Sequence, residues 1–181
     1  MWPHTVAILI GGQSERMGRP KHLVTLPNGK TMLETMLVIA SSIAEQTVIL
    51  GGEIHSQHCI HDLRKNHGPV AGIEALLHSG IDSNYLVIGC DMPSMTSESV
   101  APLLRCETNA IFSYNHRLLG LPLRVGSEAL SACSKYLDAG GRSVWGFLSS
   151  IEHTSIPLNE IESAVFLSVN TPDDLNKLAV E

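Results

Sequence analysis

The sequence predicts a Rossmann-like, three-layer α/β/α fold: a single domain over residues 1–181, with a mostly parallel sheet and some antiparallel pairing. Three observations predict it. Short apolar runs alternate with stretches of helical spacing, the pattern of strands covered by helices on both faces. Several runs end on Gly11, Gly51, Asp91 or Asn170, residues suited to the carboxyl ends of strands where α/β sheets bind ligands. Two strand candidates follow each other directly after residue 110, which adds an antiparallel pair. A chain of 181 residues fits one domain and can bury a sizeable core.

The elements follow in order. Thr5 to Ile10 is a buried strand. Thr31 to Ala44 is a helix, with Met32, Leu33, Met36, Leu37, Ile39, Ala40 and Ile43 at helical spacing. Thr47 to Leu50 is a short strand, and His58 to His61 a weaker one. Val70 to His78 is a helix stopped by Gly80, and Tyr85 to Ile88 a strand leading to Cys90-Asp91. Ser97 to Leu104 is helical; Ala110 to Tyr114 and Leu118 to Arg124 are strands. Ser127 to Leu137 and Ser143 to Leu148 are helices. Val165 to Val169 reads as a strand and Pro172 to Ala179 as the last helix, with Thr171 as its N-cap and acids in its first turn.

Composition narrows the function. Hydrophobic residues make up 44% and charged residues 17%, which is globular. A net charge of −6 without a Lys/Arg run argues against nucleic acid as a partner. Cys59, Cys90, Cys106 and Cys133 form no C-x-x-C pair, so free thiols are expected. Neither a signal peptide nor a membrane span is recognisable, and the chain is expected to be cytoplasmic.

The stretch Ala7 to Lys21, AILIGGQSERMGRPK, carries most of the functional information. A strand runs into Gly11-Gly12 and then a polar loop with Arg16, Gly18, Arg19 and Lys21. Glycines let backbone approach a ligand closely, and Arg and Lys balance the charge of a polyphosphate. A Walker A loop is excluded: Gly29-Lys30-Thr31 supplies its end, but its first glycine would fall at Val24. That tripeptide reads instead as a turn before a helix. The dinucleotide G-x-G-x-x-G spacing fails as well.

LIGGQSERMGRPK resembles the signature of nucleotidyltransferases that activate small phosphorylated molecules, and among these it looks most like the molybdenum cofactor guanylyltransferases. GPVAGI from Gly68, CDMP from Cys90, GRSVWGFL from Gly141 and VNTPDDL from Val169 agree in order and approximate spacing. The resemblance implies nucleotide contacts from Leu9, Ile10, Gly11, Gly12, Lys21, Gly51, Asp62, Gly68, Pro69, Asp91 and Asn170. It implies catalytic roles for Arg16, Lys21 and Asp91, and Mg²⁺ as cofactor with Asp91 as its ligand. A lone carboxylate at a strand end suits Mg²⁺, which takes one or two carboxylates plus phosphates and waters. The chain departs from the pattern at Gly51 and Ser168, where some members carry Asn.

The implied reaction is attack of the terminal phosphate of molybdopterin on the α-phosphorus of GTP, with pyrophosphate leaving. A phosphate monoester is already ionised near neutral pH, so no general base is required. The implied partners are GTP, the molybdenum cofactor and maturation proteins of molybdoenzymes. Alternatives are a cytidylyl- or sugar-phosphate nucleotidyltransferase, and a non-catalytic nucleotide-binding partner in molybdoenzyme maturation. His55, His58 and His61, spaced by three, are expected to be surface histidines, since an extended segment would not place them on one face. Arg117, Arg124 and Arg142 are candidates for the pterin side, with nothing in the sequence raising them above ordinary surface charge.

Overall fold

The computed structural model describes residues 5–10 and 20–178. Gly11, Gly12, Arg16 and Arg19 lie outside them. Among the described residues, seven strands form one sheet: β1 Thr5–Leu9, β2 Gln46–Leu50, β3 Cys59–Ile60, β4 Asn84–Gly89, β5 Ala110–Tyr114, β6 Arg117–Gly126 and β7 Thr154–Pro157. Their order is β3-β2-β1-β4-β6-β5-β7. The pairs β1–β2, β1–β4, β2–β3 and β5–β7 are parallel, while β4–β6 and β5–β6 are antiparallel.

Alternation along β1 explains the two flanking layers. Val6, Ile8 and Ile10 point to one face and pack with Leu33, Met36 and Ala40 of α1 (Met32–Ile43) and Val100 and Leu103 of α3 (Ser97–Leu104). Ala7 and Leu9 point to the other. They pack with Val70, Ile73 and Leu76 of α2 (Pro69–Ser79), Cys133 and Leu137 of α4 (Leu130–Asp138), and Val144 and Phe147 of α5 (Val144–Leu148). Burying each large apolar side chain contributes roughly 1.5–3 kcal/mol. The two layers therefore hold the sheet from both sides, as a mostly parallel sheet requires.

Register places the strand ends together. Leu9 pairs with both Leu50 and Gly89, and Leu50 pairs with Ile60. The ladder continues one step, with Ile10 N donating to Leu50 O and Cys90 N donating to Leu9 O, each at 3.0 Å. After β1 the chain moves outward to β2 and β3, then returns to place β4 on the other side of β1. The strand order thus reverses between β1 and β4, the point where open α/β sheets form a crevice.

The C-terminal part departs from the sequence reading. Val165 to Val169 is no strand. α6 (Glu160–Ala164) precedes it, and its turns run on, with Phe166 N donating to Ser163 O and Leu167 N to Ala164 O. Those donors are unavailable to a sheet. The sheet edge belongs instead to β7, a short and largely exposed segment with no apolar run to announce it. Phe166 still reaches the core, its ring 4.8 Å from that of Phe112. The helix expected from Ser127 opens as a 3₁₀ turn and becomes α4 at Leu130. The last helix, α7, spans Pro172–Lys177. No helix among the described residues is long and apolar enough to cross a membrane.

Candidate active site

Lys21 begins a 3₁₀ turn, Lys21–Leu23, just after Pro20. Its neighbours Val24 and Leu26 are buried with Met32 and Val169 in a small cluster. That cluster explains a contact across the whole chain: burying Val24 beside Val169 carries Lys21 to Asn170. Lys21 Nζ donates to Asn170 Oδ1 at 2.5 Å and to Asp91 Oδ2 at 2.7 Å.

Each partner is itself held. Asn170 Nδ2 donates to Ser168 O at 3.1 Å, which turns Oδ1 toward Lys21. The backbone N–H groups of Asn170 and Thr171 both donate to Asp174 Oδ2, at 3.0 and 2.9 Å, in the capping box of α7. Val169 N donates to Asp91 O at 2.8 Å and joins this segment to the end of β4. Asn170 therefore reaches the strand ends from an irregular segment rather than from a strand of its own.

Asp91 follows β4 by way of buried Cys90. A Cβ at Gly89 would lie 2.7 Å from Asp91 Oδ1, so the carboxylate folds back over a position that only glycine leaves open. The Cys90 thiol is pushed up to about 12, by burial first and by Asp91 second, and is inert as a nucleophile.

Asp91 Oδ2 and Asn170 Oδ1 converge on one cation, the Lys21 ammonium. A carboxylate oxygen and an amide oxygen aimed at a common point fit a hard divalent ion that takes its remaining ligands from phosphates and water. The described residues contain no cluster of three or more His, Cys, Asp or Glu that could form an all-protein cage. Mg²⁺ does not need one.

A second group lies on the β1–β2 side. A cavity of about 210 Å³ is lined by Leu9, Gly51, Asp62, Asn66, His67, Gly68, Pro69 and Gly72. Asp62 Oδ1 is buried there with no hydrogen-bond partner among the described residues, and burial raises the carboxyl pKa above its ordinary value, opposed in part by His61. An orphaned buried acceptor is costly, and such groups mark sites built for a ligand. A Cβ at Gly72 would stand 3.2 Å from Leu9 Cδ2 and 3.5 Å from Asp62 Oδ1, so α2 closes on the cavity through a glycine.

The loop that carries Asp62 is clamped by Arg64. Its guanidinium forks onto Glu74 of α2, Nε to Oε2 at 2.8 Å and Nη2 to Oε1 at 3.0 Å, while Nη1 reaches Asp138 at 2.6 Å. Ser134 Oγ also donates to Glu74, at 2.8 Å. Arg64, Glu74, Asn66 and His67 were not expected from the sequence. The one available signal was a polar Glu74 on the apolar face of a helix pattern.

Most of the other candidates fall away from this edge; of Arg117, Arg124 and Arg142, Arg142 alone reaches the rim of the Asp62 cavity. Arg124 is buried and structural, not a ligand group: Nη2 donates to Asn84 Oδ1 at 2.9 Å and Nη1 to Thr108 O. Arg117 is exposed at the start of β6, and Arg142 Nη1 donates to Asn66 O at 3.2 Å. His55, His58 and His61 are all exposed. Gly29-Lys30-Thr31 is a turn, with Gly29 at φ +82° and Thr31 forming the capping box of α1 with Glu34. Lys30 is exposed.

A Rossmann-like sheet with polar groups gathered where its strand order reverses belongs to the class of nucleotide-binding α/β enzymes. Comparison with known proteins narrows the class. The chain belongs to the MobA-like NTP transferase domain family, whose model matches residues 6–154, and it is a nucleotidyltransferase. A molybdenum cofactor guanylyltransferase of Xanthomonas euvesicatoria is 26% identical over 99% of this chain and 96% of its own. One of Shewanella sp. strain ANA-3 is 29% identical over 96% and 94%. The crystal structure of molybdopterin-guanine dinucleotide biosynthesis protein A from Archaeoglobus fulgidus shares the fold, with TM-score 0.81 and 24% identity over 97% of each chain.

Proposed function

We propose that this chain transfers the guanylyl group of GTP to the terminal phosphate of molybdopterin, releasing pyrophosphate, with Mg²⁺ held at Asp91. The relatives named above support the donor and the acceptor. The observation that carries the reading is the meeting of Lys21, Asp91 and Asn170 where β1 and β4 part, beside a cavity with an unpartnered carboxylate.

In this reading the base enters the cavity on the β1–β2 side. Asp62 accepts hydrogen bonds from guanine N1–H and N2–H₂, which meets the need of its orphaned oxygen. Leu9, Gly51, Gly68 and Pro69, which line the cavity, wall the nucleoside, and the resemblance adds Ile10, Gly11 and Gly12 to the nucleotide contacts. Lys21 turns from Asp91 to the polyphosphate, joined by Arg16, and the two balance charge as it shifts to the leaving pyrophosphate. Asp91 and Asn170 are then free to hold the metal, which when bound neutralises phosphate charge. The attacking phosphate is already an anion, so the chain's task is alignment and charge stabilisation.

The test is pyrophosphate release from GTP, Mg²⁺ and molybdopterin together. Release that requires all three supports the proposal. No release, or release without molybdopterin at the same rate, contradicts it.

A further inference from the structure

Trp145 is 58% exposed, yet it is held in one place. Its indole Nε1 donates to Leu118 O at 2.7 Å. Its ring lies against Gly120, where a Cβ would stand 3.4 to 3.6 Å from Cε2, Cζ2 and Nε1. Gly120 has φ +88°, a conformation that glycine adopts without strain. Backbone thus supports one side of the ring, while much of the rest meets solvent. An indole fixed through its N–H and left open is suited to stacking on a planar group.

Its place in the fold selects the partner. β6 runs antiparallel to β4, with Val87 opposite Leu123, so the first half of β6 extends past the carboxyl end of β4. There Leu121 Cδ1 comes within 3.6 Å of a Cβ built at Gly89, the same point that lies 2.7 Å from Asp91 Oδ1. Leu118 and Gly120 continue outward from it. Three residues before Trp145, Arg142 O is 3.0 Å from a Cβ built at Gly68, on the rim of the Asp62 cavity. Trp145 therefore stands on a wall that flanks Asp91 from the β6 side. The Asp62 cavity flanks it from the β1–β2 side. In-line displacement sets the acceptor phosphate opposite the leaving pyrophosphate. With the base in the Asp62 cavity, the β6 flank of Asp91 is the side left for the acceptor's ring.

We propose that Trp145 forms the stacking wall of the acceptor subsite and takes the planar pyrimidinone end of the pterin ring system of the phosphate-bearing acceptor. This rests on the guanylyl-transfer reading above. The test compares Trp145→Ala and Trp145→Phe with the parent in three measurements: KM for molybdopterin, Kd for GTP by equilibrium dialysis, and Tm. Loss of an aromatic stack of this kind costs about tenfold or more in affinity. Trp145→Ala is expected to raise the molybdopterin KM by that factor while the GTP Kd stays at the parent's value. Trp145→Phe, which keeps a ring but loses the Nε1 bond, is expected to recover most of the loss. An unchanged molybdopterin KM in Trp145→Ala overturns the assignment. So does a GTP Kd that rises in step, which would place the base on Trp145, or a Trp145→Phe variant as impaired as Trp145→Ala with both Tm values lowered. A parent protein that transfers no guanylyl group overturns the underlying reading together with this one, whereas normal transfer with an unchanged KM overturns this one alone.

Discussion

The Lys21 ammonium stands 2.7 Å from Asp91 Oδ2, although 70 positions of sequence separate the two residues. Both side chains are partly accessible, 22% and 18%, so the pair is screened and open to exchange of partners rather than locked in a core. On the proposed reading, each charge is satisfied by the other until a polyphosphate and a divalent cation offer both a stronger partner. Lys21 and Asp91 thus hold each other at the crevice without tying up the site.

Asp91→Asn keeps the shape of that contact and removes its charge. Turnover is expected to fall on the order of a hundredfold or more, as when a metal ligand is lost. GTP affinity measured without metal should stay near the parent value. Turnover within a few-fold of the parent would remove Asp91 from the metal site.

Lys21→Ala and Arg16→Ala are each expected to weaken GTP binding or turnover, and Lys30→Ala to do neither. Lys30 sits in an exposed turn that only imitates the end of a phosphate loop. Titration of GTP against the three variants decides the matter. If Lys30 is the residue that counts, the phosphates lie elsewhere.

Asp62 yields a prediction with opposite signs for stability and binding. Burial raises its folded pKa above the unfolded value. The folded state therefore holds its proton more tightly, and stability is lost as pH rises from the unfolded pKa, about 3.9, through the raised folded one. At neutral pH the ionised carboxylate is a cost to the empty protein. Asp62→Asn should therefore gain Tm relative to the parent between pH 4 and pH 7, while its preference for GTP over ATP falls. A Tm difference that is flat across this range, or shrinks toward pH 7, contradicts the assignment, as does unchanged base preference.

Arg64 and Glu74 are expected to behave as a unit. Arg64→Ala strands a buried carboxylate with, among the described residues, only Ser134 left to donate to it, and should lower Tm and raise the GTP KM by loosening the Asp62 loop. The double variant Arg64→Ala/Glu74→Gln removes the stranded charge and should regain part of the Tm. Additive losses of the two single changes would show that the fork is not what holds the loop.

Much of the fold was legible because it rests on local pattern. Val6 to Ile10 and Tyr85 to Ile88 are buried on both faces and read as unbroken apolar runs. Thr171 announces its helix as the N-cap, followed by Pro172 and acids in the first turn. Val165 to Val169 misled because an apolar run of that length does not distinguish a strand from a turn that sends only Phe166 and Val169 inward. β7 gave no signal, since an exposed edge strand borrows its order from β5. Lys21 and Asp91 stand out as residue types beside glycines and a strand end. Their meeting does not, because it depends on Val24 and Val169 sharing a small cluster. Asp62 was visible only through the family resemblance, as an acid shortly before Gly68-Pro69. Its burial and the Arg64 clamp are properties of packed loops, which sequence spacing does not encode.

The choice of base is the central claim, and one competition measurement tests it most directly. The protein is given equal GTP and CTP with Mg²⁺ and molybdopterin, and the dinucleotide product is identified by mass. A cavity that pairs Asp62 with the donor edge of guanine rejects a base lacking those donors by about 1–3 kcal/mol for each buried group left unmatched. The predicted result is the guanine dinucleotide in large excess. Predominance of the cytosine dinucleotide would contradict the guanylyl assignment while leaving the nucleotidyltransferase fold in place.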